Sequence, residues 1–196
     1  MSLYNAEISA GSLLIPESRR IAELMLSQPC QADWDNAIVR DNILQKKPAT
    51  AKRQAKLIRK RLETLDEEAL RLIIQSDAEL CGQLLMAAAL RHSQLMADFM
   101  RDVYASDLRQ LERTLSHRQW EAFLSDCAHH DEAVSRWAAS TRLKMFQVIV
   151  RILVEAKFLD STKNMQLTPP MLHPKLQSCL IRLGARDTLA RMEFSQ

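Results

Sequence analysis

The chain has 196 residues, 47% of them hydrophobic, with 27 basic and 24 acidic side chains. Only three glycines are present, which argues against a glycine-rich phosphate loop, and no apolar run approaches the ~20 residues that cross a bilayer. Leu, Ala, Arg, Gln, Glu and Met, which favour helices, are abundant, so the composition predicts an all-α fold. The four cysteines are far apart in sequence, and we expect free thiols in a reducing cytoplasm.

The first part of the chain predicts three helices, of which the third is cationic. A helix is expected from Pro16 to Ser27, because proline suits a helix start. A second begins near Asp33, its expected N-cap, and a turn over 45–48 separates it from a third helix that Thr50 caps. A helix, a short turn and a cationic helix occur in the order typical of a helix-turn-helix DNA reader.

Positive charge is concentrated between Lys46 and Arg61, where eight of sixteen residues are basic and none is acidic. In the rest of the chain acidic residues outnumber basic ones, so this segment indicates an anionic partner. Its apolar residues recur at helical spacing and predict a face that docks on a core: Ala51, Ala55, Ile58, Leu62 and Leu65. Its cations fall on an adjacent face: Lys52, Arg53, Lys56, Arg59 and Lys60.

The middle of the chain predicts core helices. Asp66 is an expected N-cap, followed by two acidic residues where the helix dipole favours them. The strongly apolar stretch from Ala78 to Val103 indicates central helices with a break near Ser93, and a polar helix is expected from Ser106 to Leu115. The tryptophans are expected to anchor the core: Trp34, Trp120 and Trp137.

The last third of the chain predicts a second DNA-reading unit. Ser116 and Gln119 fit a capping box, and a long helix is expected from Val134 to Phe158. Residues 158–170 are suited to a short β-ribbon. The order of these elements is that of a winged helix-turn-helix.

No linker or internal repeat divides the chain, so one compact domain is expected over residues 1–196. Its last helix is expected to open at Pro174 and to end at Gly184. Three parts are distinguished within it: an N-terminal helix-turn-helix-like region over 1–75, central helices over 76–115 and a C-terminal winged-helix-like region over 116–196.

No cluster of residues indicates catalysis. Cys127, His129, His130, Asp131 and Glu132 are close in sequence, but a zinc site needs a second pair of ligands, and adjacent histidines on a helix point about 100° apart. A polar loop between helices is the better interpretation of residues 129–132. Hydrolase, P-loop and dinucleotide-binding motifs are absent from the sequence, so we expect no enzymatic activity, no metal and no other cofactor.

Short motifs spread along the chain have the composition and order of a known family. They are YNAEISAGSLLIPESRRIAELML at 4–26, Trp34 before VRDNILQ at 39–45, Thr50 and Arg53 before Arg61-Leu62, Phe99, Ser140-Thr141 with Lys144, and Ile152-Leu153 with Glu155-Ala156. On these residues the chain resembles the BrxA family of small proteins from type 1 BREX phage-defence systems. Lys157 stands where the family pattern has glycine.

The resemblance implies an all-helical cytoplasmic protein that binds double-stranded DNA through helix-turn-helix-like elements and is not an enzyme. It also implies partners among the other BREX proteins, including a methyltransferase and an ATPase. Neither a membrane nor a small-molecule substrate is implied.

Residues and resemblance together favour a duplex-DNA-binding module with weak sequence preference. The expected DNA-binding residues are Lys46, Lys47, Thr50, Lys52, Arg53, Lys56, Arg59, Lys60, Arg142 and Lys144. The lysines would contact phosphates, whereas Arg53 and Arg59 reach base edges or phosphates. Two alternatives stay open: an adaptor whose basic helix docks on an acidic partner protein, and an RNA-binding module.

Overall fold

The computed structural model of the protein describes residues 2–194 and is built of helices, which confirms the all-α prediction. After a 3-10 turn at Glu7–Ala10, the first helices are α1 (Ile15–Leu26), α2 (Gln31–Asp35, continued by a π-helical turn, Asn36–Arg40), α3 (Pro48–Leu62) and α4 (Glu67–Gln75). The central helices are α5 (Ala78–His92), α6 (Gln94–Phe99, continued by a π-helical turn, Met100–Tyr104) and α7 (Ala105–Arg109). The last helices are α8 (His117–His130), α9 (Glu132–Ser135), α10 (Ala139–Glu155), α11 (Pro174–Arg182) and α12 (Arg186–Ala190).

Helix α5 is the centre of the core, and every residue from Leu80 to Leu90 is buried. It packs against helices from both ends of the chain: α1, α3, α4, α6, α10, α11 and α12. Gly82 permits the close approach of α10, because a Cβ at this position would lie 3.1 Å from the backbone oxygen of Glu155. The predicted break at Ser93 is confirmed, since its hydroxyl accepts a hydrogen bond from the backbone of Met96 at 3.3 Å and caps α6. No helix within residues 2–194 is both long and apolar enough to cross a bilayer.

Three predicted helix starts are confirmed, two of them by capping contacts. Asp66 accepts a hydrogen bond from the backbone of Ala69 at 2.8 Å, and Ser116 and Gln119 form the reciprocal capping box. Pro174 opens α11. Each of these signals acts within one turn of helix, so local sequence is sufficient to predict it.

Two predicted N-caps are wrong. Helix α3 begins at Pro48, two residues before Thr50, because the fixed φ of proline and its missing N–H suit the first turn of a helix. Asp33 lies inside α2, which begins at Gln31.

The predicted helix over 134–158 is interrupted. Backbone over 136–138 leaves the helical path, with Ala138 extended at ψ 149°, and α10 begins at the next residue. Trp137 lies in this break and is half-buried, whereas Trp34 and Trp120 are core residues, as predicted. The predicted helix over 106–115 also ends early, at Arg109.

The predicted loop at residues 129–132 is largely helical. His129 and His130 form the last turn of α8, and Asp131 caps α9 by accepting a hydrogen bond from the backbone of Ala133 at 3.0 Å. Cys127 is buried, and this burial raises the pKa of its thiol to about 11. Among the described residues, no three His, Cys, Asp or Glu side chains converge as ligands for a metal ion.

Three extended segments lie side by side, one just before α8 and two after α10. Isolated antiparallel bridges join Leu159 to Leu167 and Thr114 to Gln166, and no longer β-strand forms in the part of the chain that is described. Residues 161–164 make the turn between the second and third segments. The segment predicted to form a ribbon is thus extended, and it is positioned beside α10.

Candidate nucleic-acid interface

The basic helix α3 is fixed to the protein through its apolar face. Its buried apolar residues are Ala51, Ala55, Leu57, Ile58 and Leu62. The helix packs against α1, α5 and the π-helical turn that follows α2. The predicted core-facing side is therefore confirmed for Ala51, Ala55, Ile58 and Leu62, whereas Leu65 lies beyond the end of the helix and is half-buried.

Four cations on α3 or at its start are exposed and free of carboxylate partners. Lys47 is the N-cap residue, and Lys52, Arg53 and Lys56 follow along the helix. Among residues 2–194, none of the four forms an ion pair. Thr50 is half-buried in the first turn beside them. The helix therefore presents a row of positive charge that is not neutralised within the described chain.

Two other cations of the segment are already engaged. Nζ of Lys46 lies 3.0 Å from a carboxylate oxygen of Glu17. The guanidinium of Arg59 lies 2.8 Å from Glu63 and 4.6 Å from the ring centroid of Trp34, a cation–π distance. The expectation that Arg59 reaches a base edge therefore requires these contacts to be exchanged.

Lys60 is neutralised by a residue that is remote in sequence. Its Nζ lies 2.6 Å from one carboxylate oxygen of Glu7, and the other oxygen lies 3.3 Å from Nε2 of His92. The hydrogen bond from Lys60 lowers the pKa of Glu7, so the carboxylate stays ionised next to the basic helix. No periodic pattern connects these positions, and sequence reasoning missed this contact.

Arg61 belongs to the core although the sequence places it in the cationic run. Only 4% of this residue is exposed, and its guanidinium donates to the backbone oxygens of Ser12 at 2.5 Å and Gly11 at 3.0 Å. Burial lowers its pKa to about 10, which leaves the side chain charged at neutral pH. Of the eight basic residues in the segment, four are thus free and four have structural partners.

In the second expected contact region, on α10, one basic residue is engaged within the protein and the other is exposed. Arg142 is held within the protein, with its guanidinium 3.6 Å from Glu121 and 3.4 Å from the backbone oxygen of Ser135. Its own backbone oxygen accepts from the indole of Trp120 at 3.1 Å, which ties α8 to α10. Lys144 is exposed instead.

Lys144 shares its face of α10 with Gln147 and Arg151, at spacings of three and four residues. These side chains, together with Thr162 and Met165 from the neighbouring extended region, border a groove of about 470 Å³. Gln147 was not among the expected site residues, although the helical spacing of polar positions in an otherwise apolar helix identifies this face.

These features define an all-helical protein with a free cationic face on α3 and a second polar helix face beside an extended turn. The chain belongs to the BrxA family, whose model matches residues 2–184. The resemblance noted from sequence motifs is therefore confirmed over nearly the whole chain.

Relatives and a solved structure agree with this assignment. A protein of Paramagnetospirillum magneticum named BREX protein BrxA is 35% identical over 90% of this chain and 89% of its own length. Another of that name, from Escherichia coli O9:H4, is 35% identical over 95% of this chain and 88% of its own. The crystal structure of an uncharacterized protein from Magnetospirillum magneticum has a TM-score of 0.90 and 32% identity, and the match covers 98% of this chain and 99% of that one.

Proposed function

We propose that the protein is a non-enzymatic, double-stranded-DNA-binding component of a BREX phage-defence system. Its relatives are named BREX protein BrxA, which supports a role beside the other proteins of such a system, including a methyltransferase and an ATPase. The observation that carries DNA binding is the free cationic face of α3: Lys47, Lys52, Arg53 and Lys56. An unneutralised row of cations on a helix whose opposite side is buried is suited to the phosphate backbone of a duplex.

The elements around α3 support a helix-turn-helix arrangement. Helix α2 with its π-helical turn precedes α3, residues 41–47 connect them, and the π-helical turn packs on α3. In such a unit the second helix enters the major groove and its first turns face the DNA. Lys47, Thr50, Lys52 and Arg53 all lie at the start of α3 or just before it, which is the part that would reach the groove first.

A second contact through α10 is supported by its exposed face. Lys144, Gln147 and Arg151 follow one another along this face, and Lys163 lies in the turn at the tip of the paired extended segments. A helix flanked by such a turn is arranged like the reading helix and wing of a winged helix-turn-helix. Two contact regions on one chain would give binding that falls steeply with salt.

The test is duplex binding at several salt concentrations, with a variant carrying Lys52→Gln, Arg53→Gln and Lys56→Gln. The variant is expected to bind more weakly and to lower the slope of log affinity against log salt by about 3, because three phosphate contacts are lost. A matched control removes the same charge elsewhere: Arg71→Gln, Lys175→Gln and Arg186→Gln. An equal loss of duplex affinity in both variants would mean that only net charge matters. Unchanged duplex affinity in the α3 variant would exclude α3 as the contact.

The same measurement separates the alternatives. Tighter binding of duplex RNA than of duplex DNA would favour an RNA-binding module. If the protein bound neither duplex at low salt, the result would favour the adaptor, in which α3 docks on an acidic partner protein.

A further inference from the structure

Outside the surfaces of α3 and α10, arginines line a cleft along both sides of the short helix α12. On one side, a hollow of about 420 Å³ is bordered by Arg91 of α5 and by Arg191, which follows α12. On the other side, a hollow of about 310 Å³ is bordered by Arg101, Arg109 and again Arg191. The two hollows adjoin, because Arg191 and Asp187 line both.

Two of these arginines have hydrogen-bonding capacity that the described chain leaves unused. Arg91 donates one bond, from Nε to the backbone oxygen of Thr64 at 3.0 Å. Nε of Arg191 is buried and has no hydrogen-bond partner within residues 2–194. Arg101 differs, since two carboxylates near it in sequence already bind its guanidinium. Arg109 is exposed and forms no ion pair with any described residue.

The shape and lining of the cleft indicate which anion fits. Leu90 and Ala97 in one hollow and Met100 in the other are buried apolar residues, and no lining residue of either hollow is aromatic. A nucleobase would find no stacking surface there. The rigid backbone of a duplex is convex and suits a protruding cationic face better than a recess. Guanidinium groups bind carboxylates in a two-pronged geometry, and spaced arginines along a largely polar lining match an extended chain that carries acidic side chains. The carboxylate of Asp187 lies in the same lining, so the acidic side chains of such a segment must be spaced apart.

We propose that this arginine cleft binds an acidic segment of a partner protein. Carboxylates of the segment pair with Arg91 and Arg191, and small uncharged side chains between them avoid a further carboxylate beside Asp187. The arginine cleft and the free face of α3 share no residue, so the protein can hold DNA and the acidic segment together.

The test uses a fluorescently labelled synthetic peptide of alternating glutamate and alanine, and a lysine–alanine peptide as its opposite. We expect the acidic peptide alone to bind, more weakly as salt is added. The double variant Arg91→Gln, Arg191→Gln is expected to weaken this binding by about tenfold or more, because charge-assisted hydrogen bonds are lost. Arg186→Gln, on α12 but outside the lining, is the matched control and is expected to bind like the parent.

A second variant keeps both arginines in place. Ala190→Glu puts a carboxylate beside Arg191 within the cleft, where it competes with the carboxylates of the peptide. Peptide affinity is expected to fall by a factor similar to that in the double variant. This variant tests the proposal even where the double variant fails to fold. Undiminished peptide binding by folded Ala190→Glu or double-variant protein overturns the proposal. So does loss of binding in the Lys52, Arg53 and Lys56 variant, since the peptide would then be bound by α3. An oligonucleotide that loses affinity in the double variant while the peptide does not would make the cleft a nucleic-acid site and also overturn it.

Discussion

Arg61 and Glu155 hold the same short loop from opposite sides. The guanidinium of Arg61, at the end of α3, donates to the backbone oxygens of Gly11 and Ser12. The carboxylate of Glu155, at the end of α10, accepts from the hydroxyl of Ser12 at 2.8 Å and from the backbone of Leu13 at 2.7 Å. The two helices proposed to contact DNA are therefore connected through residues 11–13.

Replacement of Arg61 by methionine is expected to destabilise the protein strongly. Arg61→Met keeps much of the apolar volume, but it leaves two backbone oxygens without their donor and removes the positive charge that faces Glu155 across the loop. Loss of such buried contacts costs about 3 kcal/mol in the free energy of unfolding. Urea unfolding monitored by circular dichroism measures this. A loss below about 1 kcal/mol would mean that the loop is held by other contacts.

The connection itself is tested by a double-mutant cycle with Glu155→Gln. The glutamine has one acceptor oxygen instead of two, so Glu155→Gln alone is expected to lower the free energy of unfolding by about 1 kcal/mol. The loss is expected to be smaller when Arg61 has already been replaced. A coupling energy of at least about 0.5 kcal/mol is expected. Glu132→Gln, which removes an equivalent charge from an exposed pair with Arg136, is the matched control and is expected to change stability little. Strict additivity of Arg61→Met and Glu155→Gln would show that the two ends of the loop act independently.

Lys157 occupies a backbone conformation that favours glycine. Its φ is +67°, in the left-handed region, just after the end of α10. A side chain with a Cβ costs about 1 kcal/mol in this conformation. Glycine avoids that cost, but part of the gain is offset because glycine gives the unfolded chain more conformational freedom. Lys157→Gly is therefore expected to raise the free energy of unfolding by about 0.5 kcal/mol, and Lys157→Ala, which keeps the Cβ, to leave it nearly unchanged. Thermal unfolding of the two variants tests this prediction. Equal stability of Lys157→Gly and Lys157→Ala would show that the left-handed backbone at this position does not destabilise the protein.

Features that depend on neighbouring residues could be predicted from the sequence. The alternation of three and four residues placed Ala51, Ala55 and Ile58 on one face of α3, and Asp66 was identified as a cap by the acidic turn that follows it. Where several signals compete within a few residues, prediction failed by about one turn, as at Thr50. The break before α10 carries neither glycine nor proline, so local composition gave no reason to expect it.

The division of the cationic run into free and engaged residues could not be predicted. Eight basic residues in sixteen look equivalent in sequence. In the structure, however, Lys60 forms an ion pair with Glu7 and Arg61 donates to the backbone oxygen of Ser12, and both partners are about 50 positions away. Such contacts depend on how the N-terminal segment lies across α3, which no periodicity encodes. The sequence therefore predicted the basic helix itself, while the identity of its free cations required the tertiary structure.

Asp107 is expected to make stability depend on pH. Burial and the nearby charge of Glu112 raise the pKa of its carboxyl to about 6, although a hydrogen bond from Gln119 acts in the opposite direction. The unfolded value is about 3.9, so between about pH 4 and 6 the folded protein binds more protons than the unfolded chain. This contribution to stability is present below about pH 4 and is lost as the pH rises through 6.

Asp107→Asn is expected to remove that dependence. The amide oxygen still accepts the hydrogen bond from Gln119, while no charge is buried at neutral pH, so the free energy of unfolding at pH 7 is expected to rise by about 1 kcal/mol. Urea unfolding at pH 4.5 and pH 7 measures the difference, with Asp126→Asn on the exposed side of α8 as the control. An equal gain at both pH values would mean that ionisation of Asp107 is not its source.

Glu7 is expected to limit DNA binding, because it neutralises Lys60 and lies close to the free cations of α3. Glu7→Gln removes one negative charge and releases Lys60 for a phosphate. Under the proposed function, duplex affinity is expected to rise about threefold to tenfold at low salt, and the slope of log affinity against log salt to steepen by about 1. Glu67→Gln makes the same charge change and releases Arg71 on α4, so it separates the local effect from net charge. If Glu7→Gln binds duplex no more tightly than Glu67→Gln, then the C-terminal half of α3 does not contact the phosphate backbone, and the contact is confined to Lys47, Lys52 and Arg53.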